Sequence, residues 1–280
     1  MSRLDRYRAF SDTQEGGNPA GVVLDARDLA DEDMQRIAAD VGYSESAFLT
    51  TPITERAPIR VRYFSPEGEV DFCGHATIAT AVALGETYGP GSYTLTSNAG
   101  VIDISSRRDE SGTVGTLDSP AVDCLPLDGV LLDQLLAALR WTHADLDPTY
   151  PPAVGFGGNK HPVLVLRDLE RLGHLDYDFA ALQQLCRAQT WITIQAVVPT
   201  SPAHWRARDP FAWGGVVEDP ATGAAAAALV GYLRAHRRLA AEETIVITQG
   251  VEMGRPSTIH ATLHEDLARI SGHATRITRG

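Results

Sequence analysis

Three ionisable side chains stand where this chain could bind a ligand or move a proton: Glu45, His75 and Asp219. Glu45 lies in Ser44-Glu45-Ser46-Ala47-Phe48, at the start of an apolar stretch. A carboxylate at the mouth of a largely apolar site has a raised pKa, as a general acid/base near neutral pH requires. Without context the same residue reads as an exposed strand-end glutamate. His75 follows Gly74 at the head of a run of small residues. If that run is a helix, its positive end favours the neutral imidazole, which can donate or accept a proton. Asp219 sits in the acidic turn Glu218-Asp219-Pro220 and either meets a ligand or caps the following helix, whereas Asp71, in the matching place, reads as structural. Cys73 reads as a small buried residue. A pair of thiol bases, one at each helix start, does not fit, because the second start carries Pro220 and Ala221. No metal site is indicated: the histidines form no HxH or HExxH spacing, and His260 and His264 fall in a strand-like stretch.

Positioning such groups takes two buried helix starts. Residues 76–84 and 224–230 have almost no polar face, so each must be surrounded by protein, yet both are too short to span a bilayer. Alanine and glycine leave little bulk, which lets a sheet wrap closely around such a helix; a tight helix–helix interface is the alternative. The first turns are Cys73-Gly74-His75-Ala76-Thr77 and Pro220-Ala221-Thr222-Gly223-Ala224. Their unpaired N–H groups and the helix dipole make anion sites, so Gly74, Ala76, Gly223 and Ala224 are candidates for holding a small carboxylate.

The same order of signals occurs twice. Gly16-Gly17-Asn18, an apolar strand and Asp28-Leu29 are echoed by Gly157-Gly158-Asn159, an apolar strand and Asp168-Leu169. An amphipathic helix follows in each half (31–41 and 179–188), then a strand (45–49 and 194–198), then the small-residue run and closing strands. A matched order of five or six elements indicates an internal duplication. The reading is an α/β (α+β) chain of two pseudo-symmetric domains, each a β-barrel-like shell around a central apolar helix. The first covers 1–118, with the last few residues of the chain as a possible addition, and the second covers 119–280. In this alignment the position matching Glu45 is Ile194, an apolar residue, and that asymmetry singles Glu45 out.

Composition narrows the chemistry. The 280 residues carry 24 Lys+Arg against 36 Asp+Glu, a net charge of −12, which disfavours nucleic acid and anionic membranes as partners. No window is apolar enough to span a membrane, residues 1–10 are too polar for a signal-peptide core, and three widely spaced cysteines suit a reducing compartment. A cytoplasmic protein is expected. Lys160 is the only lysine, leaving a single candidate for a pyridoxal Schiff base.

Gly17-Asn18-Pro19-Ala20-Gly21, Ser44–Phe48, Asp71–Thr77, Glu218–Gly223 and Gln249–Pro256 together resemble the PhzF-like family, and the matches span essentially the whole chain. The resemblance implies the diaminopimelate-epimerase-like fold and a cofactor-independent isomerase, similar to the one that acts on trans-2,3-dihydro-3-hydroxyanthranilate in phenazine biosynthesis. It implies Glu45 as the general acid/base, His75 and Asp219 as assistants that place substrate and protons, and Asn18 beside Gly74, Ala76, Gly223 and Ala224 as substrate-binding. It also implies no cofactor, a small-molecule carboxylate as substrate and a homodimer. One departure stands out: Ala224 replaces the serine that usually follows Thr-Gly. The alternative to an isomerase is a binding or regulatory protein that kept the cleft with little turnover.

Overall fold

A computed structural model describes residues 3–54 and 57–278, and by contacts the chain divides into two compact units, Met1–Asp118 with Ser271–Gly280, and Ser119–Ile270. The division falls inside continuous strands, Gly112–Ala121 and Leu267–Arg276, and Pro120 does not interrupt the first of them.

In the first unit, Asp5–Ala9 lies antiparallel to Asn18–Val23, which runs parallel to Glu45–Leu49. Ile59–Phe64, Gly91–Ser97, Gly100–Asp109 and Gly112–Ala121 follow in order across the sheet. Leu267–Arg276 pairs with both Gly112–Ala121 and Asp5–Ala9 and closes a ring of eight strands. Inside it runs the helix Gly74–Tyr88, buried without interruption from His75 to Gly85. The small-residue run is thus a helix inside a β shell, and glycine in the shell makes the close approach possible. A Cβ on Gly115 would stand 2.7 Å from the Ile78 carbonyl oxygen, an overlap of the kind that costs about 1–3 kcal/mol. The helix Asp31–Val41 lies outside the shell. It sets Met34 and Ala38 against Val23, Phe48 and Phe64, and ends at Gly42 in the left-handed conformation.

The second unit repeats this plan. Asp123–Pro126, Ala153–Phe156, Lys160–Val165, Gln195–Ser201, His204–Pro210, Thr244–Gln249 and Ser257–His264 pair in that order around the helix Gly223–Ala235. Gly155 plays the part of Gly115, since a Cβ there would stand 2.5 Å from the Ala228 carbonyl oxygen. Two outer helices, Gly129–Leu139 and Phe179–Gln189, bury Leu135, Leu139, Leu182 and Cys186 with Trp191 and Ile194.

Strand register corrects one expectation. In the first unit Ala47 opposes Val22 and Tyr63. In the second, Gln195 opposes Val163, and because Ala196 opposes Arg208, Gln195 stands across from Asp209. Asn18 and Asn159 lie four residues before Val22 and Val163 respectively, so the paired Gly-Gly-Asn turns agree with the match. Two residues before Ala47 is Glu45; two before Gln195 is Thr193. The counterpart of Glu45 is therefore Thr193, and Ile194 belongs to the outer core. Apolar content alone misaligned the two strands by one residue, which in a sheet exchanges the faces.

Among the described residues no helix is long and apolar enough to cross a membrane.

Candidate active site

Glu45 opens its strand about one-fifth exposed, while Ser46 to Leu49 behind it are buried. The central helix brings two side chains to it. Cys73 is the N-cap residue and His75 the second helical residue, and both are buried. The Cys73 thiol donates to Glu45 Oε2 at 3.5 Å, and the same oxygen lies 3.5 Å from His75 Nε2. Cys73 Sγ is 3.3 Å from His75 Nδ1, and Ser44 Oγ shares a hydrogen bond with His75 Nε2 at 3.3 Å. Burial pushes the His75 pKa below the usual imidazole value, against the opposing pull of the Glu45 carboxylate and a hydrogen bond to the Pro19 carbonyl. His75 is thus a neutral ring near pH 7, able to donate from one nitrogen and accept at the other. Its bond to Pro19 ties the site to buried Asn18, the first residue of its strand.

The second central helix starts differently. Thr222 is its N-cap, and the Thr222 hydroxyl donates to Asp219 Oδ2 at 2.6 Å. Gln249 holds this turn from the neighbouring strand: its amide donates to the Asp219 carbonyl at 2.7 Å and accepts from the Thr222 N–H at 3.2 Å. Asp209 faces Asp219 across the sheet, fully buried, and burial followed by the nearby Asp219 charge pushes its pKa well above the usual carboxylate range. Glu218 binds the Arg208 guanidinium through both oxygens, at 3.0 and 2.5 Å, in a buried pair. Asp219 is half-buried and braced by Thr222, with Gly223 and Ala224 following in the chain.

Within the second unit, capping separates the central helix from the outer ones; the outer helix of the first unit, which starts after Ala30, has no side-chain cap. In the second unit Asp128, Asp168 and Asp178 each accept from N–H groups of their own helix. Gly74–Tyr88 and Gly223–Ala235 have no side-chain cap. Gly74 and Ala76 in one, and Gly223 and Ala224 in the other, thus belong to first turns whose N–H donors are available to an anion.

The sequence matches the PhzC-PhzF family, described as phenazine biosynthesis-like protein, over residues 7–280. The chain belongs to that family. It is 32% identical to trans-2,3-dihydro-3-hydroxyanthranilate isomerase of Pseudomonas aeruginosa over 272 residues, covering 97% of this chain and 94% of the relative. It superposes on the crystal structure of a PhzF-family phenazine biosynthesis protein from Bacillus anthracis with a TM-score of 0.85 at 27% identity, covering 98% and 96% of the two chains. A probable proline racemase from Agrobacterium radiobacter shares the fold at 12% identity, with a TM-score of 0.67 and coverage of 100% and 93%. Membership places the chain among the isomerases, in the epimerase-like fold expected from its sequence.

Within the first unit the structure brings Glu45, His75, Gly74 and Ala76 to one helix start, with Asn18 close behind through Pro19. Asp219, Gly223 and Ala224 gather at the second helix start. Sequence reasoning passed over four participants: Cys73 as a neighbour of Glu45, Ser44, Asp209 and Gln249. Gln249 opens the closing Gln-Gly-Val-Glu-Met-Gly-Arg-Pro stretch, and that position was the available signal. Asp209 gave none, because an aspartate after Arg208 reads as a surface charge until the sheet encloses it.

Proposed function

We propose that this protein isomerises a small carboxylic acid of the cyclic amino acid kind by moving a proton between carbons through Glu45 without a cofactor. The reading resembles the isomerisation of trans-2,3-dihydro-3-hydroxyanthranilate. The observation that carries it is the contact of a partly exposed Glu45 carboxylate with a neutral, buried His75 at an uncapped helix start. Glu45 takes a proton from a carbon beside an unsaturated system; the C–H electrons move into that system, and the proton returns to a different carbon on the same face. The substrate keeps its atoms and its oxidation state. In the first unit the backbone N–H groups at Gly74 and Ala76 are assigned the carboxylate and His75 the orientation of Glu45 and its proton; in the second, Asp219, Gly223 and Ala224 keep the substrate-placing roles that the family resemblance implies. A homodimer in the cytoplasm completes the proposal, with mass by light scattering and recovery in the soluble fraction as its checks.

The experiment is turnover of trans-2,3-dihydro-3-hydroxyanthranilate in deuterated buffer, read by mass spectrometry for wild type and Glu45→Gln. Turnover with deuterium in the product, lost in the variant, supports both the reaction and the base. Turnover that survives in the variant removes Glu45 from its role. A wild type that binds the acid but exchanges no deuterium is the binding protein instead.

A further inference from the structure

The three side chains at the first helix start also satisfy a different chemistry. Glu45 Oε2, Cys73 Sγ and His75 Nε2 form a triangle with sides of 3.5, 3.5 and 3.8 Å. They are the one group of three His, Cys, Asp or Glu side chains among the described residues whose ligand atoms are clustered in this way. Tetrahedral zinc, with bonds of about 2.0–2.3 Å to oxygen, nitrogen and sulfur, spaces its ligand atoms about 3.3–3.6 Å apart. An ion just outside the plane of these three atoms would therefore meet all of them at bonding distance after side-chain shifts of a few tenths of an ångström. Three different donors, O, N and S, are a set that zinc accepts and that hard cations such as magnesium do not.

We propose that Glu45, Cys73 and His75 form a zinc-binding site that, when filled, holds the isomerase inactive. The surroundings fit. His75 is buried, and its hydrogen bond to the Pro19 carbonyl is of the kind that orients ligand imidazoles. Glu45 is partly exposed and supplies the way in, while Cys73 is a buried cysteine outside any disulfide, at the same helix start. The positive helix end opposes a cation, but thiolate and carboxylate together bring two negative charges into contact with the ion. Three protein ligands leave the fourth position open to water or to a substrate carboxylate. Binding sends the thiol proton to solvent and occupies the Glu45 oxygen, so that carboxylate can no longer take a proton from carbon. Sequence spacing hides the site, because one ligand comes from a strand start and two from the end of a distant helix.

Only the inhibitory part of this proposal rests on Glu45 as the base. The test is equilibrium dialysis of the full chain against zinc with metal analysis, repeated with cobalt as a spectroscopic probe. The expected result is one ion per chain and a thiolate-to-cobalt absorption band in the near ultraviolet. Cys73→Ser and His75→Ala, checked for folding by circular dichroism, should each weaken binding by at least the roughly 10–100-fold that loss of an outer-sphere partner costs. Cys124→Ser with Cys186→Ala should keep the ion. Zinc should abolish deuterium exchange by wild type, and a chelator should restore it. Absence of stoichiometric zinc, or zinc retained by Cys73→Ser, overturns the site. A filled site that leaves exchange unchanged keeps the site and overturns Glu45 as the base.

Discussion

Two central helices begin in the same setting, enclosed by a β shell and without a side-chain cap, yet they hold opposite kinds of polar group. At the first start Glu45, Cys73 and His75 touch one another, and Glu45 reaches solvent. At the second, Thr193 stands in the place of Glu45, and its hydroxyl is locked at 2.9 Å to Nδ1 of His161, fully buried and pushed down to a pKa of about 3 by that burial. Asp219 there is fixed by Thr222, with Gln249 and buried Asp209 behind it. A duplicated scaffold thus supports one start whose groups can exchange protons and one whose groups are held. The difference arises from a few side chains placed on equivalent positions of the two shells.

The comparison breaks most sharply at its catalytic end. Glu45→Gln should lower deuterium exchange by about 10²–10⁴-fold, the range that a general acid/base supplies, whereas Thr193→Val should leave exchange within a few-fold. Equal losses in the two variants would show that the two starts do not divide the work this way. Next in size is the buried Arg208–Glu218 pair, which anchors the turn carrying Asp219. Glu218→Gln leaves a buried guanidinium without its counter-charge and should cost about 3–5 kcal/mol in urea unfolding. An unchanged midpoint would mean that water reaches Arg208.

Acid should act through the second start. His75 and His161 have pKa values lowered in the folded chain below the ordinary 6.5, so the unfolded chain takes up protons that the folded chain refuses. Their stabilising contribution is complete above pH 6.5 and is lost as pH falls through the window below it, which for His161 extends to about 3. By pH 5 the His161 share amounts to about 2 kcal/mol, and His161→Leu should flatten the unfolding free energy over that interval. A slope that persists in the variant assigns the acid sensitivity elsewhere. The smallest effect is expected from Ala224→Ser. Restoring one hydroxyl should raise turnover of trans-2,3-dihydro-3-hydroxyanthranilate by about tenfold at most, the value of a single hydrogen bond, and lower turnover would mean that the native substrate packs against the methyl group.

Much of the scaffold was legible from particular residues. The polar-free runs at 76–84 and 224–230 required enclosure, and the paired Gly-Gly-Asn turns placed matching strands. Both Gly17 and Gly158 have positive φ, at 82° and 97°, so the repeated glycines mark the same backbone turn. The helix Gly129–Leu139 has no place in the duplicated order of signals, because no matching stretch in the first half points to it. Ile194 was mistaken for the partner of Glu45 because apolar runs fix a strand's presence better than its register.

From the sequence alone came the duplication, the family motifs, and the candidacies of Glu45, His75 and Asp219, because these depend on residue type and order along the chain. Tertiary structure decided what each group touches. Only the closed shell brings residue 45 to residues 73 and 75, encloses Asp209 so that burial raises its pKa, and sets the Thr222 hydroxyl against Asp219. Distance and burial set the strength of an electrostatic interaction, and neither is a property of sequence separation.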